Sequence, residues 1–555
     1  MQEFIFGTVA VDDLKVIHTR LMKNGLVHMN EISPRDPDPD DPVTITAVVG
    51  PNIVAERVAC YYTTNGSKPQ GSRGEASNGE VLLLNKVEMT WDLFQWGYVT
   101  CWQGQLPPQG LGSVVRYEIS TWAEGKPEVY ADWPDVKAST DRAAGNFFQG
   151  RPLKLDVVGN PEHGKTFTYH VDRWRSPQWA REAVLYQIFV DRFHPGPDRE
   201  WIQTTDLKDF FGGTLWGILE KIDHIEDLGA NCLWLSPVFA SPTTHGYDAT
   251  DLYKVAERLG GEKALRALVD EAHGRGMRVI LDLVCNHVSN QHPYFIEAQR
   301  NPKSRYRDWF FFNKSELGYR AFFGVHSMPE VNLENPEARQ WMLEVARFWL
   351  EEFDIDGYRL DHANGPGPSF WSDFWTTCKQ TKKDSFSFGE IVEPANVLNR
   401  YVGRLDGTLD FLLAEALRRT FGFGVDSHDA FGRFLRKHLE FFPTEFLMLT
   451  FLDNHDMDRF LYIANGAKDQ LRQAVDIQLA LPGPPIIYYG SEVGLSQSVS
   501  KSSEVGLEAS RKAMIWDERQ DEGLRAFYKD AIARRKATKP WTLTSSEIIK
   551  LATKT

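Results

Sequence analysis

The sequence predicts an α/β protein in which a (β/α)8 TIM barrel follows an all-β sandwich. Two observations predict this fold. Short alternating runs separated by turn residues fill roughly the first 170 residues, and from about residue 180 short apolar runs alternate with longer helical segments. The chain has 555 residues, which is too long for one ordinary domain and agrees with such a two-part organisation.

The amino-terminal runs alternate apolar and polar residues, as strands with one buried face do. They are VTITAVV (43–49), ERVACYYTT (56–64), VEMTWDLF (87–94) and VVRYEISTWAEG (114–125). Gly, Pro, Asn and Ser separate them. Short alternating strands with frequent turns indicate a sandwich.

The second part contains eight strand-like runs, which is the number in a closed barrel. They are AVLYQIFV (183–190), NCLWLS (231–236), RVILDLVC (278–285), IDGYRLD (355–361), SFSFGE (385–390), GTLDFL (407–412), FLMLTFLD (446–453) and PPIIYYG (484–490). Helical patterns lie between them, for example at 263–276, which ends on Gly, and at 336–353, which begins on Pro. About fifty residues follow the third run, from His287 to Pro336, and structured insertions of this length are usually functional.

The composition is that of an ordinary globular protein and disfavours several classes. With 42% hydrophobic and 25% charged residues, neither disorder nor a membrane protein is indicated, and no apolar run approaches the ~20 residues that span a bilayer. The net charge of −14 disfavours nucleic acid as a partner, because proteins that bind it usually carry a basic surface. The five cysteines are scattered without CxxC spacing, so buried thiols are favoured over disulfides or a zinc site. No secretory leader is recognised, and a cytoplasmic protein is predicted.

Three acidic residues stand where predicted barrel strands end. Asp361 closes its run, Glu390 closes the next, and Asp456 follows the seventh. Taken singly, each is explained as a helix cap or a turn residue. Because catalytic groups of a (β/α)8 barrel lie at the carboxyl ends of its strands, the three together predict a common site.

The phrases around these residues resemble a known family. Four of them match, in order and in residue type, the signature regions of the alpha-amylase family of glycoside hydrolases: VILDLVCNHV (279–288), DGYRLDHAN (356–364), FSFGEIVEP (386–394) and FLDNHDMDR (451–459). The amino-terminal module and an MPxxN segment at Met328–Asn332 are similar to those of neopullulanases and cyclomaltodextrinases.

The resemblance implies a domain organisation. Residues 1–175 are similar to the immunoglobulin-like modules that precede the barrel in several relatives, and residues 176–540 to the catalytic barrel. An inserted domain B at about 288–336 walls one side of the cleft, and residues 541–555 are a short carboxyl-terminal remnant. The tryptophans of the first module are either core and interdomain residues or a starch-binding platform; they are Trp91, Trp96, Trp102, Trp122 and Trp133.

The resemblance also assigns roles that glycosidic chemistry requires. Cleavage with retention needs a nucleophile and a proton donor roughly 5 Å apart, and a third carboxylate that raises the pKa of the donor and stabilises the oxocarbenium-like charge. Asp361 matches the nucleophile, Glu390 the general acid and base, and Asp456 the stabilising carboxylate. Arg359, two residues before Asp361 on the same side of the strand, is expected to keep that carboxylate ionised. A structural salt bridge is the alternative for Arg359.

Four further positions match residues that surround the sugar in the family. His287 and His455 match histidines that bind hydroxyls at subsite −1. Tyr247 matches the aromatic platform beneath that sugar, and Asp282 matches a buried acid with an orienting role. The alternatives are histidines that are packed or solvated and a tyrosine that only fills the core.

The sequence departs from the family pattern at two positions. Gly365 stands where classical alpha-amylases have a His associated with calcium and where neopullulanases have Glu, and His362 replaces a small or β-branched residue. Asn286 matches a calcium ligand, but one oxygen cannot hold Ca²⁺, which takes six to eight, so neither a metal site nor a cofactor is predicted. Both departures fall near the acceptor side of the cleft, where linkage preference and the choice between water and sugar as acceptor are set.

The function implied is that of a retaining hydrolase or glucanotransferase acting on α-1,4-linked maltooligosaccharides or cyclodextrins. A trehalose- or sucrose-active transglycosidase and a non-catalytic barrel that binds or scaffolds are the alternatives. The expected partner is an oligosaccharide, with no nucleic acid and no membrane. Relatives usually carry a carboxyl-terminal β-sandwich, whereas this chain ends about fifteen residues after Pro540. The barrel helices would then need cover from the amino-terminal module or from another subunit, and the second alternative predicts a homodimer.

Overall fold

The computed structural model describes residues 12–132 and 164–552, together with positions 146, 150–152, 155 and 158–160. The chain divides into two compact units. The first comprises Met1–Trp174, Gly367–Thr376 and Val392–Arg404, and the second comprises Arg175–Pro366, Thr377–Ile391 and Leu405–Thr555. Each unit is described by itself.

The first unit begins with helix α1 (Asp12–Leu21) and is otherwise mainly β structure. Its strands are β1 (Leu26–Val27), β2 (Ile32–Ser33), β3 (Val43–Val49), β4 (Arg57–Thr63), β5 (Gln70–Ser72), β6 (Glu75–Asn78), β7 (Glu80–Asp92), β8 (Gly97–Leu106), β9 (Val114–Trp122), β10 (Val129–Tyr130) and β11 (Phe167–His170). The four predicted amino-terminal strands are therefore confirmed as β3, β4, β7 and β9. The immunoglobulin-like class of this unit stays a prediction.

The long strand β7 joins the two halves of the β structure. Its first half pairs with β4 and its second half with β8, both antiparallel. Inward-facing residues of both halves form one hydrophobic core, in which Ile45 on β3 and Ile119 on β9 are fully buried. Alternation is visible in β3, where every second residue is buried, as expected for a strand with one core face.

The tryptophans of the first unit divide into two groups. Trp102 and Trp122 are buried. Trp91 and Trp96 are 50% and 73% exposed, lie 5.6 Å apart between ring centroids, and form an exposed cluster with Tyr98, whose ring is 5.1 Å from Trp91. Two of these four tryptophans are therefore buried residues, and the other two are exposed. Trp133 lies outside the described residues.

The second unit is built around a parallel barrel. Its strands are β12 (Leu185–Ile188), β13 (Cys232–Leu235), β14 (Phe239–Ala240), β15 (Asp251–Val255), β16 (Arg278–Val284), β17 (Gly357–Asp361), β18 (Phe386–Gly389), β19 (Gly407–Leu409), β20 (Leu447–Leu449) and β21 (Ile486–Tyr488). Strands β14 and β15 form a separate hairpin, and the other eight follow one another in one sheet, with β21 paired to β12. A bridge between Thr450 and Pro485 joins β20 to β21 and closes the barrel. All eight predicted barrel strands are confirmed.

Helices alternate with the barrel strands. Beyond α1 they are α2 (Gln178–Glu182), α3 (Leu215–Glu220), α4 (Ile222–Leu228), α5 (Gly261–Gly274), α6 (Pro293–Arg300), α7 (Pro336–Glu352), α8 (Pro368–Thr381), α9 (Ala395–Leu398), α10 (Phe411–Leu417), α11 (His428–Phe441), α12 (Phe460–Ile463), α13 (Lys468–Ala480), α14 (Glu522–Thr538) and α15 (Ser545–Ala552). Helix α7 starts at Pro336 because the side chain of Asn335 accepts hydrogen bonds from the backbone N–H groups of Glu337 and Ala338. Pro336 has no N–H group that would need a partner at this position. Among the described residues, no helix has the length and apolarity required to span a bilayer.

Candidate active site

The barrel strands bring the predicted residues to one end of the barrel. Asp361 is the last residue of β17, and Glu390 directly follows β18. Asp282 on β16 is in register with Arg359 on β17. Asp456 follows the seventh barrel strand as predicted, but that strand is shorter than the predicted run 446–453, because β20 ends at Leu449 and Asp456 lies in the loop after it.

Arg359 is the centre of the site. Its Nη1 donates to Oδ1 of Asp282 and to Oδ1 of Asp361, both at 2.8 Å. Its Nη2 lies 2.9 Å from Oε2 of Glu390. The side chain is fully buried. One guanidinium therefore holds the two central carboxyl groups on neighbouring nitrogens, so that both carboxyl groups face the same point.

A left-handed residue orients Glu390. His362 follows Asp361 and has a φ of 43°, which L-residues other than glycine seldom adopt. In this conformation the backbone N–H of His362 donates to Oε2 of Glu390 at 3.1 Å. Strained backbone of this kind is concentrated at functional sites.

Asp456 is held by two side chains. Nη2 of Arg511 donates to its Oδ1 at 2.7 Å, and Nε2 of His455 lies 3.1 Å from its Oδ2. The Nε of Arg511 also donates to the backbone carbonyl of His455 at 2.8 Å. Arg511 thus fixes both the carboxylate and the loop that carries it.

A chain of hydrogen bonds links the two sides of the site. Gln187 on β12 is 2.7 Å from Nδ1 of His455, and Nε2 of His455 is 2.6 Å from the hydroxyl of Tyr247. That hydroxyl donates to Oδ2 of Asp282 at 3.0 Å. If the Gln187 amide donates to Nδ1, the proton of His455 is on Nε2, which is the tautomer the network requires. The rings of Tyr247 and His455 are stacked, with centroids 5.4 Å apart.

His287 lies beyond the end of β16 and is buried. Its ring stacks on Phe322 at 4.6 Å, and its Nε2 has no hydrogen-bond partner among the described residues. Burial lowers its pKa to about 3, so the ring is neutral near neutral pH. A neutral imidazole with a free nitrogen is suited to bind a hydroxyl group.

The pKa values of the two central carboxyl groups are raised. Burial raises the pKa of Asp361 and of Glu390 to about 7, although Arg359 acts in the opposite direction on both. Burial, Asp282 and Asp456 raise the pKa of Asp361, whereas Arg359 lowers it and so favours the ionised form. Near neutral pH the pair therefore holds about one proton, which supplies one ionised and one protonated carboxyl group.

Asp456 behaves in the opposite way. Burial alone would raise its pKa, but His455 and Arg511 lower it to about 2. Asp456 therefore stays ionised through the neutral range. A permanent negative charge beside the pair raises the pKa of Asp361 and Glu390, as the sequence predicted for the third carboxylate.

The two departures from the family pattern are in contact. A Cβ at position 365 would lie 2.0 Å from Oδ1 of Asn286 and 2.9 Å from Cδ2 of His362, so only glycine fits. The ring of His362 packs against Phe322 at 4.8 Å and Phe323 at 5.6 Å. No group of three or more His, Cys, Asp or Glu residues suited to a metal ion occurs in the part of the chain that the structure describes.

Sequence reasoning missed two residues of this site. Gln187 lies in the first barrel strand, and Arg511 lies on the segment after β21. All four residues of β12 are buried, so the pattern of this strand does not distinguish Gln187 from a packed polar residue. Arg511 stands in the phrase EASRKAMIW, which has neither periodicity nor a carboxylate partner near it in the sequence except Glu508, whose Oε1 it contacts at 2.8 Å.

Comparison with known proteins identifies the family. A family model described as the alpha amylase catalytic domain matches residues 187–533. Alpha-amylase 2 of Dictyoglomus thermophilum is 40% identical over 370 residues, which are 66% of this chain and 65% of that protein. Neopullulanase 2 of Thermoactinomyces vulgaris is 34% identical over 390 residues, which are 66% of this chain and 65% of that protein. A solved structure of a cyclomaltodextrinase matches with a TM-score of 0.62 and 26% identity, and the match covers 92% of this chain and 84% of that one.

The match therefore spans about 65% of the length of these two sequence relatives. The family model covers more than half of the chain, and its limits enclose the whole cluster of residues around Arg359. The chain belongs to the alpha-amylase family of glycoside hydrolases.

Proposed function

We propose that this protein is a retaining glycoside hydrolase, with glucanotransferase activity, that acts on α-1,4-linked maltooligosaccharides or cyclodextrins. The observation that carries the proposal is the contact of one buried guanidinium with both Asp361 and Glu390. It brings a nucleophile and a proton donor to one point, as retention requires. Relatives named neopullulanase and cyclomaltodextrinase support the substrate class.

In the proposed reaction, ionised Asp361 attacks the anomeric carbon while protonated Glu390 donates its proton to the departing glycosidic oxygen. The bond to the leaving sugar breaks and a covalent glycosyl ester forms on Asp361. Glu390, now ionised, takes a proton from water or from an acceptor hydroxyl, which releases the sugar with its configuration retained. Asp456 stabilises the positive charge of both transition states. Arg359 and Asp282 position Asp361, and His287, His455 and Tyr247 surround the sugar.

The test is the replacement Asp361→Asn, measured with maltoheptaose, β-cyclodextrin, pullulan, trehalose and sucrose. We expect loss of nearly all turnover, with retained anomeric configuration in the wild-type products. The matched control is Asp356→Asn, because Asp356 is equally buried and ion-paired to Arg278 but lies before the same strand at its opposite end. The Asp356→Asn variant should be less stable than the wild type but should still turn over the substrates.

The products also decide between the alternatives. Turnover restricted to trehalose or sucrose would select the related transglycosidases, and an inverted product would refute the role of Asp361. A wild-type protein that binds these sugars without converting them would be the non-catalytic barrel.

We also propose that residues 1–175 form the amino-terminal module, that residues 176–540 form the catalytic barrel, and that domain B is inserted within the barrel at about 288–336. Bridges pair Phe310 with Val331 and Ala321 with Pro329 within this segment. Phe295 packs against Phe310 at 5.0 Å, which gives the segment an aromatic core of its own. Limited proteolysis that cuts only within 288–336 and leaves the barrel fragments associated would support these limits.

A homodimer is proposed as the assembly. The exposed cluster of Trp91, Trp96 and Tyr98 supports it, because apolar patches of this kind often mark protein–protein contacts. Light scattering of the wild-type protein and of a Trp91→Ser, Trp96→Ser variant tests this, and a monomeric wild-type mass contradicts it.

A cytoplasmic location is proposed from the cysteines, which are unpaired and, except for Cys101, buried.

A further inference from the structure

A cavity lies within the first unit. It has a volume of about 440 Å³ and is lined by helix α1, by strands β1 and β3 and by the segment that carries Arg400. This volume is within the range of small-molecule sites, roughly 300–1,000 Å³. The apolar part of its wall includes Met22 and Met29.

The polar part of the cavity wall is rich in cations. Lys15, Lys23 and Arg400 line it, against one carboxylate, that of Glu31. Glu31 is engaged by Arg35, whose Nη2 donates to it at 3.1 Å. Lys23 is paired with Asp92 at 2.7 Å. Both carboxylates are therefore already paired with cations other than Arg400.

Arg400 is the least satisfied of these cations. It is 7% exposed, and its Nε and Nη1 have no hydrogen-bond partner among the described residues. The carboxylate of Glu31 approaches Nε only to 3.9 Å. Burial lowers the pKa of Arg400 to about 10, which reflects the cost of a poorly compensated buried charge.

The neighbours of Arg400 do not remove this deficit. Arg404 is 1% exposed and also has an Nε and an Nη2 without partners among the described residues. Burial, followed by the charge of Arg400, lowers the pKa of His18, so this ring adds no second positive charge near neutral pH. Its Nε2 lies 3.9 Å from Oε2 of Glu393, whose charge also acts on Arg400.

We propose that this cavity binds a small organic phosphate, with the phosphate group at Arg400 and the carbon part on the methionine wall. A guanidinium pairs with phosphate oxygens through parallel hydrogen bonds, and the ammonium group of Lys15 lines the same cavity. The ligand accepts hydrogen bonds from Nε and Nη1 of Arg400, for which the described residues supply no partner. The site is independent of the proposed glycosidase activity.

The experiment is isothermal titration of the full-length protein with phenyl phosphate and with inorganic phosphate, at constant ionic strength and near neutral pH. Phenol and chloride are the controls. We expect phenyl phosphate to bind more tightly than inorganic phosphate, and phenol not to bind. Arg400→Met should weaken binding about tenfold or more. Lys15→Met, on an exposed helix position that tolerates the change, should weaken it by a smaller factor.

Two further variants locate the site. Arg57→Met changes an exposed arginine of the same unit and should bind phenyl phosphate like the wild type. Asp361→Asn should also bind it unchanged, so that loss of hydrolysis and loss of phosphate binding are separate results. No binding to the wild type, or equal binding in the wild type, Arg400→Met and Lys15→Met, would overturn the proposal. Loss of binding in Asp361→Asn would place the ligand in the barrel and overturn it as well.

Discussion

Replacement of Arg359 by Met tests the electrostatics of the barrel site. The guanidinium contacts Asp282, Asp361 and Glu390, and it acts to lower the pKa of each. Two unit charges about 4 Å apart interact by about 4 kcal/mol at an effective dielectric constant of about 20. At about 1.4 kcal/mol per pKa unit, the pKa of each carboxyl is expected to rise by up to about 3 units.

The expected consequence is a shift of the pH–activity profile to higher pH. The pKa of Asp361 and Glu390 is about 7 in the wild type, so both become protonated at neutral pH once the cation is lost. The nucleophile is then absent, and kcat/KM at neutral pH is expected to fall by about 10²–10³-fold. The acidic limb of the profile should move upward by one unit or more, because ionisation of the nucleophile sets that limb.

The assay is kcat/KM for maltoheptaose across the pH range, together with urea unfolding. Arg359→Met should also lose about 3–5 kcal/mol of unfolding free energy, because it leaves buried carboxyl groups without their cation. The matched control is Arg535→Met, since Arg535 is 2% exposed and bonds only backbone carbonyls, for example that of Gly483 at 3.0 Å. This control should be destabilised with an unshifted profile. An unshifted profile in Arg359→Met itself would refute the reasoning.

Two further predictions follow from the loops of the site. Gly365→Ala should reduce kcat/KM by about tenfold or more and lower the unfolding temperature, because the new Cβ overlaps Asn286; an active, stable variant would contradict the packing at this position. Arg511→Met should cost up to about 2 kcal/mol of stability, because His455 and then Arg511 lower the pKa of Asp456 from 3.8 to about 2 and Arg511 supplies part of that shift. That contribution is present above pH ~4 and is lost as the pH falls through about 2. The unfolding free energies of the wild type and of Arg511→Met, measured in urea, should therefore become equal near pH 2. A constant difference across this pH range would exclude the mechanism.

The barrel and most of the site were predictable because they depend on local patterns. Each barrel strand is a short apolar run, and the hydrophobic pattern alone indicates such runs. Asp361 and Glu390 occupy strand ends in the structure as they do in the pattern. The loop that carries Asp456 was less well predicted, because the apolar residues after Leu449 are buried without continuing the strand.

Long-range electrostatics could not be predicted from the sequence. Arg511 and Asp456 are 55 positions apart and meet only through the fold. The balance that raises the pKa of Asp361 depends on how deeply the carboxyl group is buried beside Glu390 and Asp456, and a sequence pattern contains no information on that depth. The exposure of Trp91 and Trp96 depends on the fold as well, since Trp91 lies near the end of β7 and Trp96 lies in the turn between β7 and β8.

The two departures from the family pattern form one structural unit. His362 adopts a left-handed conformation that directs its N–H to Glu390, and its ring then occupies the space beside position 365. A side chain at 365 would collide with both that ring and Asn286, so the histidine and the glycine require each other. A Glu side chain at position 365 alone would therefore collide with both His362 and Asn286. If His362 were also replaced by a small residue, only the collision with Asn286 would remain. The carboxyl group that we propose as the proton donor thus accepts a hydrogen bond from the backbone N–H of His362, whose ring packs beside Gly365.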